Sequence, residues 1–186
     1  YENFKEIIPK EIYNKIIKGK LRRKAKRYRV DNYITKMLKL RNVIDKSIVV
    51  FGTLTLKDEI LDLKENTYIR KIHNYLKSHY DMVILNKDFG KKNEREHYHY
   101  IGLTHEPIEE TEKKSRCGIK LYKLQKQDYN LGFEPTIEIV NFEDKKKVRN
   151  YLLKLNNHST KNTTKSRFRV LYNPLIKIFF EYKKEI

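Results

Sequence analysis

Two histidines stand two positions apart in the run His97-Tyr98-His99. If this run is a β-strand, successive side chains alternate between the two faces, so His97 and His99 lie on the same face. Two imidazoles placed in this way can both reach one divalent cation. Two surface histidines in a tyrosine-rich strand would give the same pattern, so a metal site needs support from other residues.

A carboxylate ligand would strengthen the case for a metal site, because Mg²⁺ and Mn²⁺ prefer oxygen ligands. The strand predicted before the histidines ends at Asn86-Lys87-Asp88, nine residues before His97. A hairpin would bring the two positions together, so we predict Asp88 as the third ligand, with Glu94 or Glu96 as the fallback. The alternative for Asp88 is a turn residue before Gly90.

Tyrosine and lysine stand three positions apart in Tyr151-Leu152-Leu153-Lys154, a spacing that shares one helix face. A tyrosine hydroxyl can attack a phosphodiester whose phosphate a metal polarises, and a nearby lysine can stabilise the developing charge. Core packing of Tyr151 and solvation of Lys154 are the alternative, since the chain contains 14 tyrosines.

Hydrophobic periodicity predicts the elements that position these residues. Strands are predicted at 47–56, 81–87, 97–104 and 136–140, with a short strand near 167–171. Helices are predicted at 65–80, 119–130 and 143–155. Further helices are predicted to start near Pro9, around 31–41 and after Pro174, and residues 105–118 are predicted to form a polar loop. The central order β-α-β-β-α-β predicts an α+β fold of ferredoxin-like or RRM-like split βαβ topology, with helices on one face of an antiparallel sheet and the other face open.

The net charge of +18 is concentrated on the flanks of the chain. Residues 1–47 carry 15 Lys and Arg against 5 Asp and Glu, and residues 156–186 carry 7 against 2. We therefore predict a basic helical N-terminal extension at 1–47, a core domain at 48–155 and a basic C-terminal extension at 156–186 packing on the core. The densest basic run suggests contacts to nucleic-acid phosphates through Arg22, Arg23, Lys24, Lys26 and Arg27.

Composition also excludes some classes of protein. The single cysteine, Cys117, can form neither an intrachain disulfide nor a cysteine-rich zinc site. No apolar run approaches the roughly 18 residues that span a bilayer, so a membrane protein is not expected. The chain begins at Tyr1 rather than Met, which is compatible with its being a piece of a longer protein.

Three segments, in this order, resemble motifs of the HUH endonuclease superfamily, specifically the rolling-circle replication initiators (Rep proteins) of plasmids and single-stranded DNA viruses. The apolar strand Phe51-Gly52-Thr53-Leu54-Thr55-Leu56 resembles the first motif, His97-Tyr98-His99 the metal motif, and Tyr151-x-x-Lys154 the nucleophile motif. The resemblance covers residues 48–155. The tyrosine follows the histidines, an order that favours the Rep branch or the related single-tyrosine transposases over relaxases.

The resemblance implies an enzyme that nicks and rejoins single-stranded DNA. His97, His99 and Asp88 would bind Mg²⁺ or Mn²⁺, and Tyr151 would attack a phosphate to leave a free 3′-OH and a 5′-phosphotyrosine link. Thr53 and Thr55 would face the site or the DNA. The expected partners are single-stranded DNA, as an origin stem-loop, and host replication proteins, in the cytoplasm of the replicon's host cell.

The sequence also fits two other functions. A non-enzymatic RRM-like module would stack bases on the strand aromatics Tyr98, Tyr100 and Phe51, but would leave the histidine and tyrosine motifs unexplained. A single-tyrosine transposase would use the same chemistry, although the long basic N-terminal arm is unlike such compact dimers. Zinc-dependent hydrolysis lacks a convincing set of protein ligands.

Overall fold

The computed structural model of the chain describes residues 10–89, 96–115, 117–125, 136–140, 149 and 168–177. The elements, in chain order, are α1 (Lys10–Arg41), β1 (Ile48–Thr55), α2 (Asp58–Leu61), α3 (Glu65–His79), β2 (Met82–Phe89), β3 (Glu96–Thr104), β4 (Ile108–Lys114), β5 (Lys120–Leu124), β6 (Ile137–Ile139) and β7 (Phe168–Tyr172). A further helical turn covers residues 174–177. The described part of the chain contains no helix that is both long enough and apolar enough to cross a membrane.

The strands form one antiparallel sheet in the order β4-β5-β6-β1-β3-β2-β7. The fold is therefore α+β, built on a seven-stranded antiparallel open sheet. β1 and β3 lie in its middle and are apolar on both faces, as expected of strands that are covered on both sides. The strands predicted at 47–56, 81–87, 97–104, 136–140 and near 167–171 are confirmed as β1, β2, β3, β6 and β7, and the helix predicted at 65–80 as α3.

Helices cover both faces of the sheet. The apolar side of α3 packs on one face, against Tyr98 and Tyr100 of β3. The C-terminal part of α1 packs on the other face, where Val30, Ile34, Met37 and Leu40 meet Ile101 and Leu103. The prediction of helices on one face only is therefore wrong. The two helices predicted near Pro9 and around 31–41 are one continuous helix, α1. The apolar residues near the C-terminal end of α1 pack on the sheet and stabilise that part of the helix.

Residues 108–124 form a hairpin where we predicted a polar loop and then a helix at 119–130. β4 is an edge strand rich in Glu and Lys, a composition that protects sheet edges and hides a strand in the sequence. In β5, the spacing of Leu121 and Leu124 suggests a helix. Pairing of Tyr122 with Ile137 of β6 and of Leu124 with Ile108 of β4 instead imposes the strand conformation.

Two glycines let tyrosine rings cross the centre of the sheet beneath α3. A Cβ at Gly52 would lie 2.4 Å from Cζ of Tyr100, and one at Gly102 would lie 2.5 Å from Cδ1 of Tyr80. The two rings meet edge to face with their centroids 5.3 Å apart, and their hydroxyls are hydrogen-bonded at 2.8 Å. Both positions therefore require glycine for close packing rather than for a turn.

Candidate metal centre

The two histidines lie side by side on β3, two and four positions before Ile101, against which the C-terminal part of α1 packs. In the antiparallel register, His97 is opposite Asp88 of β2 and Thr55 of β1. His99 is opposite Asn86 of β2 and Thr53 of β1 in the next row. Because directly paired residues share a face, all six side chains belong to one face of the sheet, which we call the histidine face.

The nitrogen atoms of the two imidazoles converge. Nε2 of His97 and Nε2 of His99 are 3.1 Å apart. Oδ2 of Asp88 lies 3.5 Å from Nε2 of His97 and 3.9 Å from Nε2 of His99. His99 and Asp88 are buried, and His97 is half-buried. The structure thus brings together the three residues that we predicted as metal ligands.

This donor set suits a metal ion. Two ligands bound at right angles, each about 2.1 Å from a divalent cation, are about 3.0 Å apart, which is close to the separation of the two Nε2 atoms. The three side chains each offer a ligand atom within 4.8 Å of the others, so the group can hold a metal ion. Oδ1 of Asp88 is buried and has no hydrogen-bond partner among the described residues. A buried carboxylate oxygen without a hydrogen-bond donor is unfavourable, and a bound cation would satisfy it.

Thr53 orients the more deeply buried histidine. Its Oγ1 lies 2.9 Å from Nδ1 of His99. For Nε2 to keep its lone pair for a metal, Nδ1 must carry the proton and donate it to the threonine oxygen. Burial, together with the neighbouring His97, lowers the pKa of His99 to about 3. His99 is therefore neutral near pH 7, as metal ligation requires.

Glu96, our fallback ligand, is excluded by its position. It precedes His97 and belongs to the opposite face, where it accepts a hydrogen bond from Tyr98, contacts Lys87 and is 3.2 Å from the hydroxyl of Tyr68. Lys87 also pairs with Glu65 of α3 at 3.3 Å. Burial and Glu96 raise the pKa values of both tyrosines, which keeps them neutral donors. Glu94, the other fallback, lies outside the described residues.

The strand aromatics do not form an open stacking platform. Tyr98 and Tyr100 are only 4% and 0% exposed, because they lie beneath α3. Phe51 is half-buried on the histidine face, where its ring stacks on that of His99 at 5.9 Å. The stacking surface that an RRM-like module would need from Tyr98 and Tyr100 is therefore absent from the described residues.

The segment with the predicted nucleophile lies outside the described residues, so the structure does not place Tyr151 or Lys154. Arg149 is described and helical, and its Nη1 is 2.8 Å from Oδ2 of Asp31 in α1. The predicted DNA-contacting residues at 22–27 belong to α1. Arg27 is exposed, and the other four of these side chains, Arg22, Arg23, Lys24 and Lys26, are outside the described part.

Two features of the site were missed from the sequence. Asn86 was not predicted as a residue of the site, although it is the first polar residue after the apolar run Met82-Val83-Ile84-Leu85 and precedes Asp88 by two positions. Thr53 was predicted to face the site or the DNA, but its contact with His99 follows only from the strand register. Comparison of the chain with models of protein families, with curated proteins and with solved structures found no match.

Proposed function

We propose that this protein is an endonuclease and strand transferase of the HUH type that initiates rolling-circle replication by nicking single-stranded DNA. The observation that carries the proposal is the convergence of His97, His99 and Asp88, with their nearest ligand atoms 3.1 to 3.9 Å apart on one face of the sheet. Their types and spacing are those of the superfamily's metal motif plus an acidic ligand on the paired strand.

By the resemblance to the superfamily, the metal held by His97, His99 and Asp88 would be Mg²⁺ or Mn²⁺. An ion held by these residues would supply Lewis-acid chemistry to the scissile phosphate. Burial keeps His99 neutral, and Thr53 holds its ring so that Nε2 faces the ligand cluster.

Tyr151 is the proposed nucleophile. Its hydroxyl oxygen forms a bond to phosphorus while the bond from phosphorus to the 3′-oxygen breaks, which leaves a 5′-phosphotyrosine link. The phenol loses its proton, and the departing 3′-oxygen gains one. Lys154 would stabilise the negative charge on that oxygen as it leaves. Attack by a 3′-OH on the phosphotyrosine reverses the step and rejoins strands.

Three features support a nucleic-acid substrate for this site. Four strands lie in the order β6-β1-β3-β2, which is the order of the split βαβ fold of the superfamily. Arg149, two positions before Tyr151, is ion-paired to α1, the helix that packs on the histidine face. The N-terminal part of α1 is strongly basic and would bind the phosphates of an origin stem-loop.

A single-tyrosine transposase is the second candidate, because it would use the same residues for the same chemistry. The long basic α1 favours the replication initiator. A non-enzymatic RRM-like binding module is less well supported, since Tyr98 and Tyr100 are buried beneath α3.

The test uses 3′-labelled stem-loop oligonucleotides with randomised loops, incubated with the full chain and Mn²⁺. We expect a labelled covalent protein–DNA adduct on denaturing electrophoresis. The variant Tyr151→Phe should abolish it, and Lys154→Ala should slow it by about ten- to a thousandfold. Tyr28→Phe, in the exposed basic helix, is the matched control and should react like the unmodified chain.

Two results would contradict the proposal. An adduct that persists in Tyr151→Phe would mean that another tyrosine is the nucleophile, and mass spectrometry of the DNA-linked peptide would identify it. Tight DNA binding without any adduct across the whole library would favour a binding module.

A further inference from the structure

Asn86 is the most deeply buried polar side chain near the candidate metal centre. It is 0% exposed. Its Nδ2 donates to the carbonyl oxygen of Lys87 at 3.4 Å, but its Oδ1 has no hydrogen-bond partner among the described residues. A buried carbonyl oxygen without a donor is unfavourable and rare in folded proteins, so its presence calls for a partner that supplies positive charge or a proton.

The register places Asn86 beside the metal ligands. It is directly opposite His99, and it precedes Asp88 by two positions on the same face of β2. Oδ1 of Asp88 is likewise buried, with no hydrogen-bond partner in the part of the chain that the structure describes. Two oxygen atoms that lack donors therefore lie on the same face of one strand, next to two nitrogens that converge at 3.1 Å.

We propose that Asn86 is an oxygen donor of this cation site, through Oδ1, either to the ion or to a water molecule bound to it. The inference rests on the proposed metal site and extends its ligand set. Asn86, His97, His99 and Asp88 then provide two nitrogens and two oxygens, which leaves positions for water or phosphate oxygens.

The neutral amide of Asn86 affects the net charge of the site and therefore which substrate the site can bind. A divalent cation with one carboxylate, two neutral imidazoles and a neutral amide keeps a net charge of about +1. That charge favours a phosphodiester, whose charge is negative. A second carboxylate in place of Asn86 would cancel it. A neutral oxygen ligand is thus suited to a site that must bind both a metal and a DNA phosphate.

The test measures Mn²⁺ binding to the full chain by the electron paramagnetic resonance signal of the free ion, together with thermal unfolding in EDTA. Asn86→Leu should lower Mn²⁺ affinity by about ten- to a hundredfold. Its metal-free melting temperature should equal or exceed that of the unmodified chain, because leucine removes the oxygen that lacks a donor. Asn86→Asp should raise the affinity for Mn²⁺ by adding a charge.

Asn173→Leu is the matched control, because Asn173 has partners for both amide atoms. Its Oδ1 accepts from the amide of Leu175 at 3.0 Å, and its Nδ2 donates to the carbonyl of Lys77 at 3.4 Å. This variant should lose stability without EDTA-sensitive effects and bind Mn²⁺ normally. An Asn86→Leu protein that behaves like Asn173→Leu would overturn the inference alone. An unmodified chain that does not bind Mn²⁺ would overturn both the inference and the proposed function.

Discussion

Replacing Thr53 by valine tests how the site prepares His99 for a metal. The two side chains have nearly the same shape, so the change mainly removes the hydroxyl that lies 2.9 Å from Nδ1 of His99. Without that acceptor, a proton on Nδ1 of His99 loses its hydrogen bond to Thr53. The proton is then better placed on Nε2, which lies 3.1 Å from Nε2 of His97 and close to Asp88. In that tautomer, Nε2 of His99, the nitrogen nearest Asp88 and His97, has no lone pair for a metal.

The loss of Mn²⁺ affinity expected in Thr53→Val can be estimated in two ways. A buried donor left without a partner costs about 1–3 kcal/mol. Partners that orient a metal-binding histidine typically contribute about ten- to a hundredfold in metal affinity, which corresponds to about 1.4–2.8 kcal/mol. The two estimates agree, because both describe the same hydrogen bond to His99. We therefore expect Mn²⁺ to bind Thr53→Val about ten- to a hundredfold more weakly.

Two measurements check this prediction. Long-range ¹H–¹⁵N spectra of the metal-free protein should show a proton on Nδ1 of His99 in the unmodified chain and on Nε2 in Thr53→Val. Mn²⁺ titration gives the affinity. Thr53→Ser keeps the hydroxyl and should retain most of the affinity. Thr55→Val is the matched control on the same face, because no hydrogen bond joins Thr55 to His97 among the described residues. Equal losses in Thr53→Val and Thr55→Val, or an unchanged tautomer, would refute the reasoning.

Two further predictions concern the fold and the DNA. Gly52→Ala should destabilise the protein by about 1–3 kcal/mol in a denaturant titration, because its Cβ would lie 2.4 Å from the Tyr100 ring in a packed core; an unchanged midpoint would mean that the ring moves freely. Neutralising the basic run of α1 should weaken single-stranded DNA binding and reduce its salt dependence by about 0.7 log units per lost phosphate contact, with cleavage at saturating DNA retained. Unchanged binding with lost cleavage would contradict this role for the residues changed, which are Arg22, Arg23, Lys24, Lys26 and Arg27.

The arrangement of Asp88, His97 and His99 could be predicted from the sequence because it depends on two local rules. Alternation along a strand puts His97 and His99 on one face, and a hairpin brings the end of the preceding strand to them. The exact register could not be predicted, since the turn between the two strands is charged and long. Without the register, neither Asn86 opposite His99 nor Glu96 on the other face could be assigned.

The hairpin at 108–124 shows why two of the seven strands, β4 and β5, were not predicted. The composition of β4 resembles that of a loop, because this edge strand carries charged residues on its exposed side. The spacing of apolar residues in β5 fits a helix, and only the partners Ile108 and Ile137 make it a strand. The packing of α1 on the sheet was not predicted, because the strongly basic sequence of this segment is typical of a nucleic-acid-binding arm. The apolar residues near its C-terminal end nevertheless pack on the sheet.

The two faces of the β2–β3 hairpin explain how a polar site is held firmly in place. Lys87 lies between Asn86 and Asp88 in sequence, and Tyr98 lies between the two histidines, so each alternates with residues of the site. On the face beneath α3, Lys87, Glu96 and Tyr98 contact one another and bond to the helix. The strands that carry the ligands are therefore held on their other face by half-buried, charge-assisted bonds. A site built on such strands is organised in advance, which would reduce the ordering cost of binding the proposed metal or DNA.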